Sequence, residues 1–258
     1  MNDNERTGSL PQRIFENSIV LIIIVVVWLF VPLYTKNLFL PSLFSILESF
    51  RDLALNGELW LDIVYSLRIV FAGLLIAASV AVVLGMLLGR FARLERYLDP
   101  TLQIMRNTPV LAILPVFILF LGIGDSSKIA IVIWATFFPT LLNTIQGAKN
   151  VDANLIRSAQ SMGISSGGLF FKVILPAASP FILAGFRLSA GVAMIVIVAA
   201  EMVGAQHGLG FMIFNYQHSY QTSRMYVGIL TLAIIGVFLN FGLVKLEKHL
   251  TRWQEKTQ

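Results

Sequence analysis

Six stretches of this 258-residue chain are long and apolar enough to cross a lipid bilayer, and no other feature constrains its fold as tightly. A transmembrane helix needs about 20 predominantly apolar residues. On that basis the spans fall at Ser18–Tyr34, which contains "IVLIIIVVVWLF", and at Ile63–Gly89, Leu102–Ile123, Lys128–Ala148, Phe181–Val203 and Met225–Leu246. Lipid offers no partner for an exposed peptide group, so each span must satisfy its own backbone. The expected fold is therefore all-α, a polytopic membrane protein with six transmembrane helices in the lipid bilayer. Charged residues make up 13% of the chain, about half of what a soluble domain carries. No long linker or low-complexity tract interrupts residues 1–258, which read as a single transmembrane domain.

Arg6 and Arg13 ahead of the first apolar run imitate a signal peptide. The following "VPLYTKNLF" offers no small-residue cleavage site, so the first helix is expected to be retained. Basic residues gather on the cytoplasmic side of membrane proteins. With the amino terminus inside, fourteen of the 19 Lys and Arg residues fall on inner segments, among them Arg90, Arg93, Arg96, Lys149 and Lys172. Both termini are thus expected in the cytoplasm. The same asymmetry accounts for the net charge of +5, and no nucleic-acid partner is expected. Cysteine is absent, which excludes disulfides and thiolate metal sites.

Within the spans, Gly73, Ala77, Ala81, Gly85 and Gly89 recur every four residues, a stripe that lets a second helix approach the backbone closely. Pro109 and Pro115 disturb the third span, and Pro139 and Asn143 share a face of the fourth with Ala135 and Gly147. Such prolines line pathways or serve packing, and the sequence leaves both readings open. Between the first two spans, Leu43, Ile46, Leu47, Phe50 and Leu53 fall on one face of a short amphipathic helix at the outer surface. Glu201 heads "EMVGAQHGLG" and is either part of an outer gate or binding-protein contact, or a cap or salt-bridge partner at the interface. A short re-entrant helix is expected from Phe211 to Tyr216. Arg106 and Arg187 either attract an anion leaving a pathway or follow the inner-side preference for positive charge.

The longest inner connection runs from Gln146 to Pro180 and contains "RSAQSMGISSGGLFFKVILPAASP". Asp152 or Asn154 can cap a helix carrying Leu155, Ala159 and Met162, and Gly163 suits a left-handed terminus. Ser165 or Ser166 can cap a second helix, anchored by Leu169, Phe170 and Phe171 and stopped by Pro176. Its small residues, Ser158, Ala159, Ser161 and Gly163, permit a tight fit to another surface. That makes the segment a docking element for a cytoplasmic partner.

This segment resembles the signature loop of ABC-importer permeases: Glu-Ala-Ala, three residues, Gly, nine residues, then Ile-x-Leu-Pro. In that register stand Arg157-Ser158-Ala159, Gly163 and Val173-Ile174-Leu175-Pro176. "MRNTPVLAILPVFILFLGIGDSSKIAIV", "FFPTLLNTIQGAKNVD", "LPAASPFILAGFRLSAG" and "AEMVGAQHGLGFMI" are similar to the branch importing aliphatic sulfonates, taurine and nitrate. The resemblance implies a type I ABC-importer permease fold with a core at residues 59–253 and a cytoplasmic ATPase-docking loop at residues 149–180. Arg157, Ser158, Ala159, Gly163, Leu175 and Pro176 would carry the docking. Arg106, Pro109, Arg187 and Glu201 are the candidate pathway or gate residues.

The implied protein is a permease of the bacterial inner membrane that moves a small organic anion such as an aliphatic sulfonate or taurine, or nitrate, inward by alternating access. Its implied partners are cytoplasmic ATPase subunits, a periplasmic substrate-binding protein at segments 34–59 and 204–224, and a second permease copy forming a homodimer. Thiamine-precursor pyrimidines or aromatic acids are the alternative cargo. The chain departs from the pattern at Arg157, where the family has glutamate, and at Ser158, where it has alanine. Either a partner carboxylate compensates the reversed charge, or shape alone makes the contact.

No phosphate-binding Gly-x-x-x-x-Gly-Lys-Ser/Thr loop is present, so ATP and Mg would be used by the partner ATPase and no cofactor is expected in this chain. His207, His218 and His249 lie outside the spans, and neither His-Glu-x-x-His nor Gly-x-Ser-x-Gly occurs. No catalytic or metal-ligating residues are expected, and the chain is not read as an enzyme. The competing class is an ion-coupled secondary transporter or channel, which commonly carries inverted repeats and intramembrane charges. No repeated half is visible. Asp62, Arg68, Arg106, Arg187 and Glu201 sit mostly near span ends, where a charged group reaches water cheaply. Arg187 and Glu201 lie about 21 Å apart along one helix and cannot pair within it.

Overall fold

The computed structural model describes Ile19, Ile23, residues 26–30 and residues 39–251. The expected first span, Ser18–Tyr34, falls mainly outside the described residues. In chain order the elements are α1 (Leu43–Leu55), α2 (Glu58–Arg90), α3 (Ala92–Asn107), α4 (Val110–Leu121), α5 (Asp125–Lys149), α6 (Ala153–Ser161), α7 (Ser166–Leu169), α8 (Leu175–Glu201), α9 (Leu209–His218) and α10 (Thr222–Leu250). No strand occurs among the described residues. Four helices there are long and apolar enough to span a bilayer, or five if the bent pair Ala92–Asn107 and Val110–Leu121 is counted as one span.

Small residues explain how the spans pack. A Cβ on Gly73 would stand 2.6 Å from Val132 Cγ1, one on Gly85 2.6 Å from Thr144 Cβ, and one on Gly89 2.5 Å from Ala148 Cβ. Ala77 and Ala81 are fully buried in the same seam. The stripe on α2 is therefore a contact with α5 inside the domain. The opposite side of α5 meets α8 in the same way, where a Cβ on Gly185 would lie 2.6 Å from Asn143 Cβ and one on Gly147 2.7 Å from Phe181 Cβ. The face of Pro139 and Asn143 is thus packed against α8.

Buried hydroxyls in this seam have partners. Thr136 and Thr144 donate to the carbonyls of Val132 and Thr140, each at 2.7 Å. Ser189 donates across to the Thr136 carbonyl at 2.7 Å, which leaves its oxygen to accept from Thr140 at 2.8 Å. In lipid such bonds join helices where hydrophobic exclusion is absent.

Three expectations need correction. The third span, Leu102–Ile123, is not one helix: α3 and α4 meet at 93° across Thr108 and Pro109. Proline cannot donate to the ladder and restricts the residue before it, so the chain turns there. Pro176 does not stop a helix; residues Ser166–Glu201 run on as one helical rod through a π-turn at Phe170–Ile174. Leu175 N donates to the Phe170 carbonyl five residues back, a widened turn that lets the ladder pass the missing donor of Pro176. The buried face of α1 is also narrower than its apolar positions suggested. Ile46 and Leu53 enter an outer cluster with Leu209, Met212 and Tyr216, whereas Leu47 and Phe50 are exposed.

Replacing Gly85 by valine should destabilise the bundle by about 1–3 kcal/mol through overpacking against Thr144. A lowered thermal midpoint in detergent checks this, with Gly236→Ala, whose added methyl meets nothing within 4 Å, as the reference.

Candidate functional site

Two clusters of polar and small residues sit at opposite ends of the bundle. The inner one is the loop at residues 149–180. Asp152 caps α6 by accepting from Asn154 N at 2.8 Å. At the other end Gly163 takes φ 75°, its N–H reaches the Gln160 carbonyl at 2.9 Å, and Ile164 N reaches the Ala159 carbonyl at 3.4 Å. This pair of bonds is a Schellman motif, which needs a residue free to be left-handed. Ser165 then caps the second helix through Gly168 N at 3.3 Å.

Ala159 is buried with Met86, Leu169, Ile174 and Ala178, which fastens the loop to the inner ends of α2 and α8. Arg157, Ser158, Gly163 and Pro176 are exposed, and Leu175 is half-buried. Phe171 was expected to anchor the segment with Leu169 and Phe170, but it is 68% exposed, and Met162 is 80% exposed. Leu155, Ser158, Met162, Lys172, Val173 and Pro176 line an open groove of about 500 Å³ between the two helices. The groove is walled mainly by apolar side chains, with Met162 exposed on it, and apolar patches of this kind mark contact with a protein or a membrane.

The outer cluster holds the start of α9. A helix leaves its first amide groups without intrahelical partners. Here Gly208 N donates to Asp62 Oδ1 at 2.8 Å, Leu209 N to Ser66 Oγ at 2.9 Å and Gly210 N to Glu201 Oε2 at 2.8 Å. Ser66 Oγ donates in turn to Glu201 Oε1 at 2.7 Å. Lys128 is buried nearby, its ammonium donating to the Gly124 carbonyl at 3.3 Å. Gly208 has φ 117°, and a Cβ there would lie 2.4 Å from the Glu201 carboxyl carbon. A Cβ on Gly210 would lie 2.4 Å from the Val198 carbonyl oxygen. The glycines are thus set by close approach to α8. At the far end of α9, Tyr216 donates to Glu58 Oε1 at 2.6 Å. Burial, and then this hydrogen bond, push the Tyr216 phenol up to about 12.

Residues 81–253 match the family of binding-protein-dependent transport system inner membrane components. The chain belongs to this family. The permease is 38% identical over 215 residues to the aliphatic sulfonates transport permease protein SsuC of Bacillus subtilis (strain 168), covering 83% of this chain and 78% of that protein. It is 35% identical to the taurine transport system permease protein TauC of Escherichia coli (strain K12), over 86% of this chain and 82% of that one. The nitrate import permease protein NrtB of Synechocystis sp. (strain ATCC 27184 / PCC 6803 / Kazusa) is 30% identical, with 84% and 82% covered. Among solved structures, an inward-facing form of the MetNI methionine ABC transporter superposes with a TM-score of 0.62 at 20% identity, over 76% of this chain and 96% of that one. The permease therefore shares the type I ABC-importer permease fold.

The four candidate pathway or gate residues do not come together. Arg106 is exposed on α3 and donates to Gln103 at 3.0 Å, and Pro109 is exposed at the bend. Arg187 pairs with Glu247 of α10 at 2.9 Å. Glu201, 1% exposed, caps α9, so of its two readings the capping one is observed. Asp62 does not reach toward water as its place near a span end suggested; it is buried on Gly208 N. Ser66 and Lys128 were missed altogether. The available signal was Asp62 and Ser66 spaced four apart in an otherwise apolar run, which places both on one helical face. His207 and His218 are exposed outer-surface residues, with His207 Nδ1 3.9 Å from Asp62 Oδ1.

Two outcomes are expected of the outer cluster. Glu201→Ala leaves Gly210 N and Ser66 Oγ without an acceptor, a loss of about 1–3 kcal/mol readable by thermal unfolding. Tyr216 holds its proton more tightly folded than unfolded, so its contribution is full below pH about 10 and lost as pH rises toward about 12. Stability curves of wild type and Tyr216→Phe should converge across that window.

Proposed function

We propose that this chain is the membrane-spanning subunit of an ATP-driven importer for a small organic anion of the aliphatic sulfonate or taurine kind, or for nitrate. The observation that carries the reading is the inner loop. Two capped helices are joined by a left-handed glycine, fastened from behind by Ala159, and open in front as an apolar groove. A motor seated there moves α8 directly, because the loop's second helix and α8 form one rod of 36 residues. Arg157, Ser158, Ala159, Gly163, Leu175 and Pro176 are its contact or shaping residues. ATP and Mg act in that separate subunit, and this chain needs no cofactor.

Two copies of the chain form the path as a homodimer. The interior of one copy is filled by Ile69, Val70, Val132 and Ile197, while Leu188 and Ile195 of α8 and Leu119 and Phe120 of α4 point outward. Both termini lie in the cytoplasm. A periplasmic binding protein meets the opposite face, at α1 and α9. The cargo classes follow the printed names of the relatives, in which sulfonates, taurine and nitrate recur.

The test is uptake in vesicles containing this chain, its ATPase subunit and its binding protein. Uptake should require ATP, and Gly163→Asp should lower it at least about tenfold, since the left-handed turn and the fit of the loop both suffer. Transport that persists with the ATPase subunit omitted would overturn the proposal in favour of an ion-coupled carrier.

A further inference from the structure

The outward side of α6 carries one charge, and among the described residues that charge has no ion-pair partner. α6 turns Ile156 and Ala159 toward the bundle. Asn154, Arg157, Ser158 and Ser161 are exposed on its other side. Three of these four are short, so a surface laid on the helix comes close to its backbone. Arg157 stands out of that flat patch. The acidic groups near the loop are engaged elsewhere: Asp152 caps Asn154 N at 2.8 Å, and Glu95 holds Lys149 at 2.6 Å. Among the described residues no carboxylate pairs with Arg157 or with the exposed Lys172 across the groove. The docking face is therefore cationic as well as apolar.

A guanidinium covered by a neutral surface loses its water and gains nothing in return. Its planar fork of donors matches a carboxylate in two bonds at once. We propose that the ATPase subunit seated on this loop presents a carboxylate to Arg157, so that the interface runs with a polarity opposite to that of a permease with glutamate at this position. This rests on the docking reading above and adds the chemistry of the partner. Interfacial charge of this kind selects the partner as much as it strengthens the contact. An ATPase subunit built to meet a glutamate would bring a cation to Arg157 and be rejected.

The experiment uses the full chain coexpressed with its ATPase subunit and binding protein, and a charge series Arg157→Lys, Arg157→Gln and Arg157→Glu. Among the described residues Arg157 is exposed and makes no ion pair, so membrane yield should hold across the series. Copurification of the ATPase subunit and ATP-driven uptake should fall in that order, with Arg157→Glu lowering uptake at least about tenfold. One carboxylate-to-lysine change in the docking cleft of the ATPase should restore Arg157→Glu. Equal copurification across the series, or an Arg157→Glu variant that binds better than wild type, overturns the inference. Met162→Asp, in the apolar groove, separates the two levels. If it releases the ATPase while the charge series is flat, only the carboxylate is refuted. If it too leaves the ATPase bound, the docking reading itself falls.

Discussion

Close backbone approach between α2, α5 and α8 is the condition on which the other features depend. In lipid the apolar side chains of two helices gain little by leaving their surroundings, so association relies on dispersion and on the few hydrogen bonds that cross the seam. Gly73, Gly85, Gly89, Gly147 and Gly185 bring the helices within reach of both. The Thr140–Ser189 contact exists only because that approach has already been made. With α5 clamped between α2 and α8, the two ends of the bundle are fixed in relation to each other, and each end carries a distinct polar device.

The two devices solve the same problem of unpaired helix ends in opposite ways. At the inner end the caps are local: Asp152, Gly163 and Ser165 satisfy amides or carbonyls within a few residues of themselves. That loop holds its own shape and leaves its outward face free for a partner. At the outer end the caps are distant. Asp62 and Ser66 come from α2 and Glu201 from α8, so the start of α9 is bonded to two spanning helices at once. A rocking motion of α8 driven from the loop would then be felt at α9 without passing through solvent.

Proline acts differently at its several positions. Pro109 is exposed and follows Thr108 at the bend, where the chain turns by 93°. Pro176 lies where Ile174 and Ala178 are packed against Met86, and there the helix widens by one residue and continues. Pro139 lies on the face of α5 that meets α8 and leaves its helix intact. The missing donor is the same in each case, and the exposed Pro100 and Pro115 also sit inside unbroken helices, so a proline alone does not fix where the rod breaks.

The apolar runs, the four-residue stripe of small side chains and the spaced signature of the inner loop were legible in the order of the amino acids, because each is a local or periodic property. So were the cap at Asp152, the left-handed Gly163 and the short helix after Gly208. The assembly of Asp62, Ser66 and Glu201 around one helix start was not, since residues 135 or more positions apart meet only after the seam has closed. The exposure of Phe171 and the continuity through Pro176 belong to the same class. Which face of a helix is left bare depends on what packs against it, and only the folded bundle supplies that.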